Sequence, residues 1–456
     1  MYFEQFYLAC LAHASYMLGS EGEAAVVDPQ RDVDIYLQAA QEQGLKIRHI
    51  FETHLHADFV SGHRELAART GATIYMGERA GARFAHVPLR DGSEVHFGDV
   101  RITALETPGH TAEAVCLVVR DLGKSPEPAM VLTGDTLFIG DVGRPDLSKQ
   151  YTAQQLAGML YDSLHEKLLR LPDSVLVYPA HGAGSLCGRN MRADRFSTIG
   201  TERLTNPALQ VRDREDFVQQ LTANLPPRPA YFAQDAELNR EGAPALEDLP
   251  PLPAIAPDRL QSLIKEGANA LDTRSPEQFA AGHVPGSVNI PLAGQFATWA
   301  AIVLGLEGQP VLIAESPESL AESRTRLARV GIEKCIGALA GGLEEWKHAG
   351  LGLASVPQMT AAELSARTNG LQVLDVRREN EWQAGHIEDA LWWPLDRFSS
   401  ELPAVDRERP LAVHCKSGYR SAIACSLLLR AGYRNVTNVV GGFDAWRQAA
   451  LPCANG

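Results

Sequence analysis

The C-terminal half of the chain carries the same landmarks twice. Leu271-Asp272-Thr273-Arg274 leads through Glu277 and Phe279 to Gly282-His283-Val284-Pro285-Gly286, then to Asn289-Ile290-Pro291-Leu292. Further on, Leu374-Asp375-Val376-Arg377 leads through Glu381 and Trp382 to Gly385-His386-Ile387, then to Trp393-Pro394-Leu395. Gly341-Gly342-Leu343 with Trp346 is matched by Gly441-Gly442-Phe443 with Trp446. A period of about 100 residues is far longer than a solenoid unit, so each copy is a domain. Inside each copy, short β-branched runs alternate with helical stretches. The second copy has strands expected over 372–376, 411–414 and 436–440, and a helix over 421–431. That alternation specifies a parallel sheet flanked by helices.

A chain of 456 residues exceeds what one core accommodates. Two proline-rich stretches, Leu225 to Pro229 and Leu249 to Pro257, read as semi-rigid spacers. The expected organisation is a domain over 1–242, a linker over 243–255, and repeat domains over 256–352 and 356–456. The first block has strand-like runs such as Ala24 to Val27 and Val115 to Val119, with amphipathic helices such as Val33 to Gln43 between some of them. It reads as a mixed α/β sandwich.

The net charge of −14 argues against a nucleic-acid partner. No run approaches the roughly 20 apolar residues that span a bilayer. Met1 to Tyr16 lacks the basic start and apolar stretch of a secretory signal. Seven cysteines are scattered without paired spacing, which fits reduced thiols and a cytoplasmic location. Self-association into a homo-oligomer stays open.

Residues 53 to 63 read Thr-His-Leu-His-Ala-Asp-Phe-Val-Ser-Gly-His, just beyond an expected strand at 47–53. Downstream come Thr107-Pro108-Gly109-His110, Leu132-Thr133-Gly134-Asp135 and Tyr178-Pro179-Ala180-His181. Each places a His or Asp directly after an apolar run. Imidazoles and a carboxylate delivered from four strand ends are what a first-row metal site requires. Any one of these residues alone is more often a hydrogen-bonded scaffold group. The four segments in this order are not.

These segments resemble the metallo-β-lactamase superfamily, whose dinuclear members carry H-x-H-x-D-H. Here Phe59 stands where the last His of that motif belongs. In dinuclear members the residues matching His54, His56 and His110 hold one metal. Those matching Asp58, the missing His and His181 hold the second, with Asp135 bridging. Loss of an imidazole donor favours a single metal. The departure resembles the persulfide dioxygenase branch, which implies one iron(II) per chain on His54, His110 and Asp135, with zinc as the alternative. His56, Asp58 and His181 then orient ligands, move protons or serve as scaffold. Gly140-Asp141-Val142-Gly143-Arg144-Pro145-Asp146 resembles a loop of that branch. Its Arg144 either positions an anionic persulfide or pairs with Asp141 or Asp146. Cys187, six residues beyond His181, either takes up sulfur or is a buried small hydrophobe.

His414-Cys415-Lys416-Ser417-Gly418-Tyr419-Arg420-Ser421 follows one strand and opens a helix. Four residues between Cys and Arg let a tight loop turn backbone N–H groups around a thiolate or persulfide. Lys416 and Arg420 add positive charge for sulfite or thiosulfate. Residues 356–456 resemble rhodanese sulfurtransferases, which makes Cys415 the nucleophile that alternates between thiol and persulfide. Asp375 and Arg377 are expected to be structural. In the earlier copy Glu315 falls opposite Cys415, and Glu315-Ser-Pro-Glu-Ser-Leu320 has neither thiol, glycine nor terminal Arg. That copy is expected to be degenerate, with a spacer or docking role.

The fold class expected is therefore α/β: an αββα metallo-β-lactamase-like sandwich followed by two rhodanese-like domains with parallel sheets. The leading functional expectation is oxidation of a low-molecular-weight persulfide, glutathione persulfide or similar, by O2 to sulfite, coupled to sulfur transfer that forms or consumes thiosulfate. A zinc thioester hydrolase resembling glyoxalase II is the runner-up. A non-catalytic sulfur carrier or persulfide sensor is the third reading.

Overall fold

A computed structural model of the chain describes residues 1–223, 225–367 and 370–454. It divides into two compact units. One comprises Met1–Leu249 with Ala328–Gly331, the other Pro250–Leu327 with the residues from Ile332 onward.

The first unit is two six-stranded sheets. Strands β1 (Tyr2–Leu8), β2 (His13–Ser20), β3 (Glu23–Val27), β4 (Lys46–Glu52), β5 (Thr73–Gly77) and β6 (Val87–Leu89) follow one another across the first sheet. It starts antiparallel and becomes parallel from β3 onward. The second sheet is built from β7 (Glu94–Phe97), β8 (Val100–Glu106), β9 (Val115–Asp121), β10 (Met130–Gly134), β13 (Leu176–Pro179) and β14 (Ser197–Thr198). A short hairpin of β11 (Leu137–Phe138) and β12 (Asp141–Val142) lies between β10 and β13 in the chain.

The period-2 pattern fixes the layering. Along β2, Tyr16 and Leu18 enter the core between the sheets, where they meet Leu117, Val119 and Leu132. Met17 points the other way, onto Tyr36 and Ala40 of the helix Asp34–Glu42. Across the second sheet, Val118 and Val131 pack on Leu160 and Leu164 of the helix Ala153–Glu166. Helices therefore cover both outer faces and the order is αββα. Each of these buried aliphatic or aromatic side chains is worth about 1.5–3 kcal/mol of transfer free energy.

The second unit holds two five-stranded parallel sheets with one topology. β15 (Ala254–Ile255), β16 (Ala270–Asp272), β17 (Val288–Asn289), β18 (Val311–Ile313) and β19 (Gly337–Leu339) are ordered β15-β19-β18-β16-β17. β20 (Gln358–Met359), β21 (Gln372–Asp375), β22 (Leu391–Trp392), β23 (Leu411–His414) and β24 (Val436–Val439) are ordered β20-β24-β23-β21-β22. The repeated landmarks make the same bonds in both copies. Arg274 pairs with Asp272 and donates to the Gly282 carbonyl, and Arg377 pairs with Asp375 and donates to the Gly385 carbonyl. Trp346 and Trp446 donate their indole N–H to the carbonyls of Gly352 and Pro452. The Asp-x-Arg landmark is thus a strand-end clamp.

The proline-rich stretches behave differently from expectation. Leu225 to Pro229 is not a boundary: the Pro226 carbonyl accepts from Arg144, and Arg228 donates to the Asp146 carbonyl. The chain then forms the helix Phe232–Glu241, still in the first unit. Nor is 243–255 a free linker. Ala243 is buried, the Leu246 amide donates to Glu65, and Ala254–Ile255 pairs with β19 as the edge of a repeat sheet. Proline blocks ladder bonds on one side only, so a proline-flanked segment still serves as an edge strand.

Candidate metal centre and sulfur-carrying loop

Four strand ends bring the histidines and aspartates together. His54, His56 and Asp58 lie in the loop after β4, His110 after β8, Asp135 directly after β10 and His181 just beyond β13. All six are buried. Ligand atoms of His54, His110 and Asp135 lie within 4.8 Å of one another. The Asp135 Oδ2 is 3.4 Å from His110 Nε2 and 3.8 Å from His54 Nε2. None of these three atoms has a hydrogen-bond partner. Three buried polar atoms left open at one point are costly unless a cation fills it.

The other nitrogen of each ligand histidine is committed outward. His54 Nδ1 is 3.0 Å from Thr53 Oγ1, whose own proton goes to Asp28 Oδ2 at 2.9 Å. His54 therefore donates from Nδ1 and leaves Nε2 bare. His110 Nδ1 donates to the Arg144 carbonyl at 2.9 Å, which sets the same tautomer. Burial, with the neighbouring histidines adding, holds His54 well below its usual pKa; burial also lowers His110. Both are neutral imidazoles, the form that ligates. Burial works to raise the Asp135 carboxyl, but His181 and His54 hold it well below the carboxylate range. Gly134 permits the close packing: at φ +52°, its added Cβ would stand 2.5 Å from Thr53 Oγ1.

The remaining polar groups divide between two tasks. His181 spans two carboxylates, Nδ1 to Asp135 Oδ1 at 2.8 Å and Nε2 to Asp58 Oδ2 at 3.0 Å. Burial opposes its charge, yet Asp135 and Asp58 raise its pKa well above the usual value. His56 turns away from Asp135, toward Asp28 Oδ1 at 3.2 Å and Glu52 Oε2 at 3.5 Å. Phe59 fills the position of the absent His, with its ring 4.1 Å from that of His13 and 4.4 Å from that of His56. Asn239 clasps this loop from a distant helix. It donates to the carbonyls of His56 and Phe59 and accepts from the Ser61 amide, each at 2.8 Å.

Arg144 requires a correction. Its guanidinium is buried, bonded through Nε and Nη2 to both Asp146 oxygens, and also donates to the carbonyls of Leu186 and Pro226. With those donors spent on scaffold, it is not placed to hold a substrate anion. Its backbone carbonyl, which orients His110, is its link to the site. Cys187 lies at the centre rather than in an open channel. It is 1% exposed, and its sulfur groups with Asp58 and His181 within 4.8 Å. Burial, with Asp58 and Asp135 adding, pushes the thiol well up, so it is protonated.

The sulfur-carrying loop joins β23 to the helix Tyr419–Arg430. Cys415 is buried at the base of the loop, and its Sγ accepts the Gly418 N–H at 3.2 Å. The carbonyls of Cys415 and Lys416 are turned away, accepting from the amides of Phe443 and Asp444 at 2.7 and 2.9 Å. That contact needs a glycine at 442, where φ is +53° and a Cβ would meet the Cys415 carbonyl oxygen at 2.3 Å. The Gly-Gly landmark is thus the strut of the loop.

Arg420 also departs from its expected role. It donates to both oxygens of Glu381, at 2.6 and 2.7 Å, which neutralises its charge and fixes its fork. An incoming sulfite therefore meets the exposed Lys416 as the unpaired cation of the loop. In the first copy Gln278 occupies the place of Glu381 and donates to Glu315, the counterpart of Cys415, at 2.8 Å. Beside the Cys415 loop opens a cavity of about 450 Å³, walled by Ser417, Gly418 and Tyr419 and by Glu277 and Ala280 of the degenerate copy. Tyr419 anchors that wall, donating its hydroxyl to the Pro291 carbonyl at 2.9 Å.

Sequence reasoning missed Asp28, Glu52, His13 and Asn239. Asp28 alone had a readable signal, since it follows the apolar run Ala24-Ala-Val-Val27 as Asp135 follows Met130-Val-Leu-Thr-Gly134.

Comparison with known proteins agrees with this division of the chain. Residues 8–181 match the metallo-beta-lactamase superfamily, and residues 256–349 and 360–449 match the rhodanese-like domain. The mitochondrial persulfide dioxygenase ETHE1 of Bos taurus is 33% identical over 234 residues, covering 49% of this chain and 82% of that protein. A hydroxyacylglutathione hydrolase of Rhodospirillum rubrum is 30% identical over 221 residues, covering 48% of this chain and 77% of that protein. The crystal structure of a metallo-beta-lactamase from Staphylococcus aureus subsp. aureus COL superposes with a TM-score of 0.67 at 32% identity, covering 74% of this chain and 98% of that one. The chain belongs to the metallo-β-lactamase superfamily, as a homologue of the persulfide dioxygenases fused to two rhodanese-like domains.

Proposed function

We propose that the first unit is an iron(II) persulfide dioxygenase and that Cys415 is the sulfur carrier of a rhodanese working on the same pool of sulfur. The observation that carries the first half is the convergence of His54 Nε2, His110 Nε2 and Asp135 Oδ2, buried and without partners. Two imidazoles and one carboxylate leave open positions, the donor set suited to iron that must meet O2 and a substrate together. When bound there, iron(II) supplies the redox coupling between O2 and the persulfide sulfur. The balance is RSSH + O2 + H2O → RSH + SO3²⁻ + 2H⁺. The chain's own groups hold the two histidines in one tautomer through Thr53 and the Arg144 carbonyl. His181 carries a proton beside Asp135 and Asp58.

In the second half, sulfane sulfur on Cys415 passes to sulfite: Cys–S–S⁻ + SO3²⁻ → Cys–S⁻ + S2O3²⁻. Gly418 N–H steadies the sulfur that leaves or stays, and Lys416 draws the anion. The cavity shared with the degenerate copy is of a size for a small thiol such as glutathione, which makes a low-molecular-weight persulfide the substrate class. The sites then act in series in a reducing cytoplasm, where the described cysteines are all free thiols. The test is a pair of variants. His110→Ala abolishes O2 uptake on a persulfide, and Cys415→Ser keeps sulfite formation while losing thiosulfate. O2 uptake surviving in His110→Ala, or thiosulfate formation surviving in Cys415→Ser, refutes the corresponding half.

A second reading is a zinc thioester hydrolase, favoured by the retention of Asp58 and His181 and by the 30% identity to a hydroxyacylglutathione hydrolase. Phe59, packed against His13 and His56, opposes it by closing the position of one donor.

A further inference from the structure

Phe59 removes one donor from the side of the centre that faces Asp58 and His181, and the structure brings another there. Ligand atoms of Asp58, His181 and Cys187 lie within 4.8 Å of one another, all buried. Asp58, 5% exposed, keeps Oδ1 without a partner. His181 donates Nδ1–H to Asp135 Oδ1, so its Nε2 is the nitrogen turned to the cluster, 3.0 Å from Asp58 Oδ2. A carboxylate, an imidazole and a thiol form a compact mixed-donor set.

The set differs from the dinuclear pattern of the superfamily in two ways. Its third donor is sulfur, delivered by the loop after His181 rather than by the loop after β4. Asp135 Oδ1 is occupied by His181, so Asp135 does not bridge the two clusters. A third buried cluster, Asp28, Glu52 and His56, is different in kind. Asp28 takes two bonds from Thr53, and Glu52 accepts from the Ser61 hydroxyl at 2.6 Å, so those carboxylates are already spent on orienting His54 and the loop.

We propose that Asp58, His181 and Cys187 form a second metal site, separate from His54, His110 and Asp135 and selective for a thiophilic d10 cation such as zinc or cadmium. Sulfur donation disfavours hard cations such as magnesium and calcium, whose ligands are oxygens. On binding, the ion takes up the thiolate of Cys187, Nε2 of His181 and a carboxylate oxygen of Asp58. The thiol proton and the proton on Nε2 leave to solvent, with no change in oxidation state. This site goes beyond the proposed oxidation and stands without it.

The test is cadmium titration of the reduced full-length protein carrying Cys415→Ser and Cys453→Ser. The expected result is an ultraviolet thiolate-to-cadmium charge-transfer band saturating at one equivalent. Adding Cys187→Ser to that background abolishes the band. Asp58→Asn, which leaves every thiol in place, weakens the affinity at least about tenfold and guards against a folding artefact in the cysteine variant. A band that persists in the Cys187→Ser protein, or no saturable band in its parent, overturns the proposal. So does unchanged affinity in Asp58→Asn. Because the readout is thiolate coordination, it is independent of whether the first site binds iron or consumes O2.

Discussion

Thr53 is the most informative side chain to change, because one hydroxyl serves both the ligand His54 and the buried Asp28. It donates to Asp28 Oδ2 at 2.9 Å and accepts from His54 Nδ1 at 3.0 Å. Thr53→Val keeps the shape and β-branching and removes both bonds. Asp28 keeps the Thr53 backbone N–H at 2.7 Å, so the strand end stays closed. His54 instead loses the acceptor that fixes its tautomer, and a fully buried N–H without a partner costs about 1–3 kcal/mol. Loss of such an orienting bond typically weakens metal affinity about 10–100-fold, or about 1.4–2.7 kcal/mol. The assay is chelator competition for the metal on the full-length protein, with thermal unfolding of the metal-free protein alongside. Thr53→Ser restores the hydroxyl and should return affinity to within a few-fold of wild type. Equal affinity in wild type and Thr53→Val refutes the relay, as does a Thr53→Ser protein as weak as Thr53→Val.

Three further outcomes follow from the same geometry. Asn239→Ala removes three buried bonds to the loop of 56–61 and should cost on the order of 3 kcal/mol, seen as a lower denaturation midpoint. Glu315→Cys in a Cys415→Ser background should yield no sulfur transfer, because the segment 316–320 lacks both the glycine and the arginine that shape the active loop; transfer activity there would contradict the account of that loop. The Glu381–Arg420 pair should be pH-sensitive with a definite sign. Burial works to raise Glu381, but Arg420 holds its folded pKa below the ordinary 4.5. Its stabilisation is then fully present above 4.5 and drains away only as pH falls below it through the folded value. The stability gap between wild type and Glu381→Gln, measured by urea unfolding, should shrink on acidification below that point and not above pH 7.

What could be read from sequence was local. The strand ends carrying His54, His110, Asp135 and His181, the Cys415 loop and the paired repeats are contiguous motifs, each tied to one turn or one strand. The αββα order of the first unit and the parallel sheets of the second agree with that reading. What stayed hidden depends on groups far apart in the chain. Nothing near Asn239 announces that its amide closes a loop about 180 residues earlier. Arg144 and Arg420 looked like substrate-binding cations because sequence shows charges and not their partners, Asp146 and Glu381. The stretch 225–229 looked like a boundary because proline density marks stiffness whether the segment joins two domains or straps one. Cys187 shows no motif, and only its approach to Asp58 and His181 gives it a role to test.

The central claim is that His54, His110 and Asp135 hold one iron that turns O2 and a persulfide into sulfite. Metal content of the protein as purified, read together with O2 uptake on glutathione persulfide, tests it most directly. The account predicts about one iron per chain and O2 consumed in about equal amount to sulfite formed, as the balanced reaction requires. Zinc in place of iron, with thioester cleavage and no O2 uptake, would contradict it.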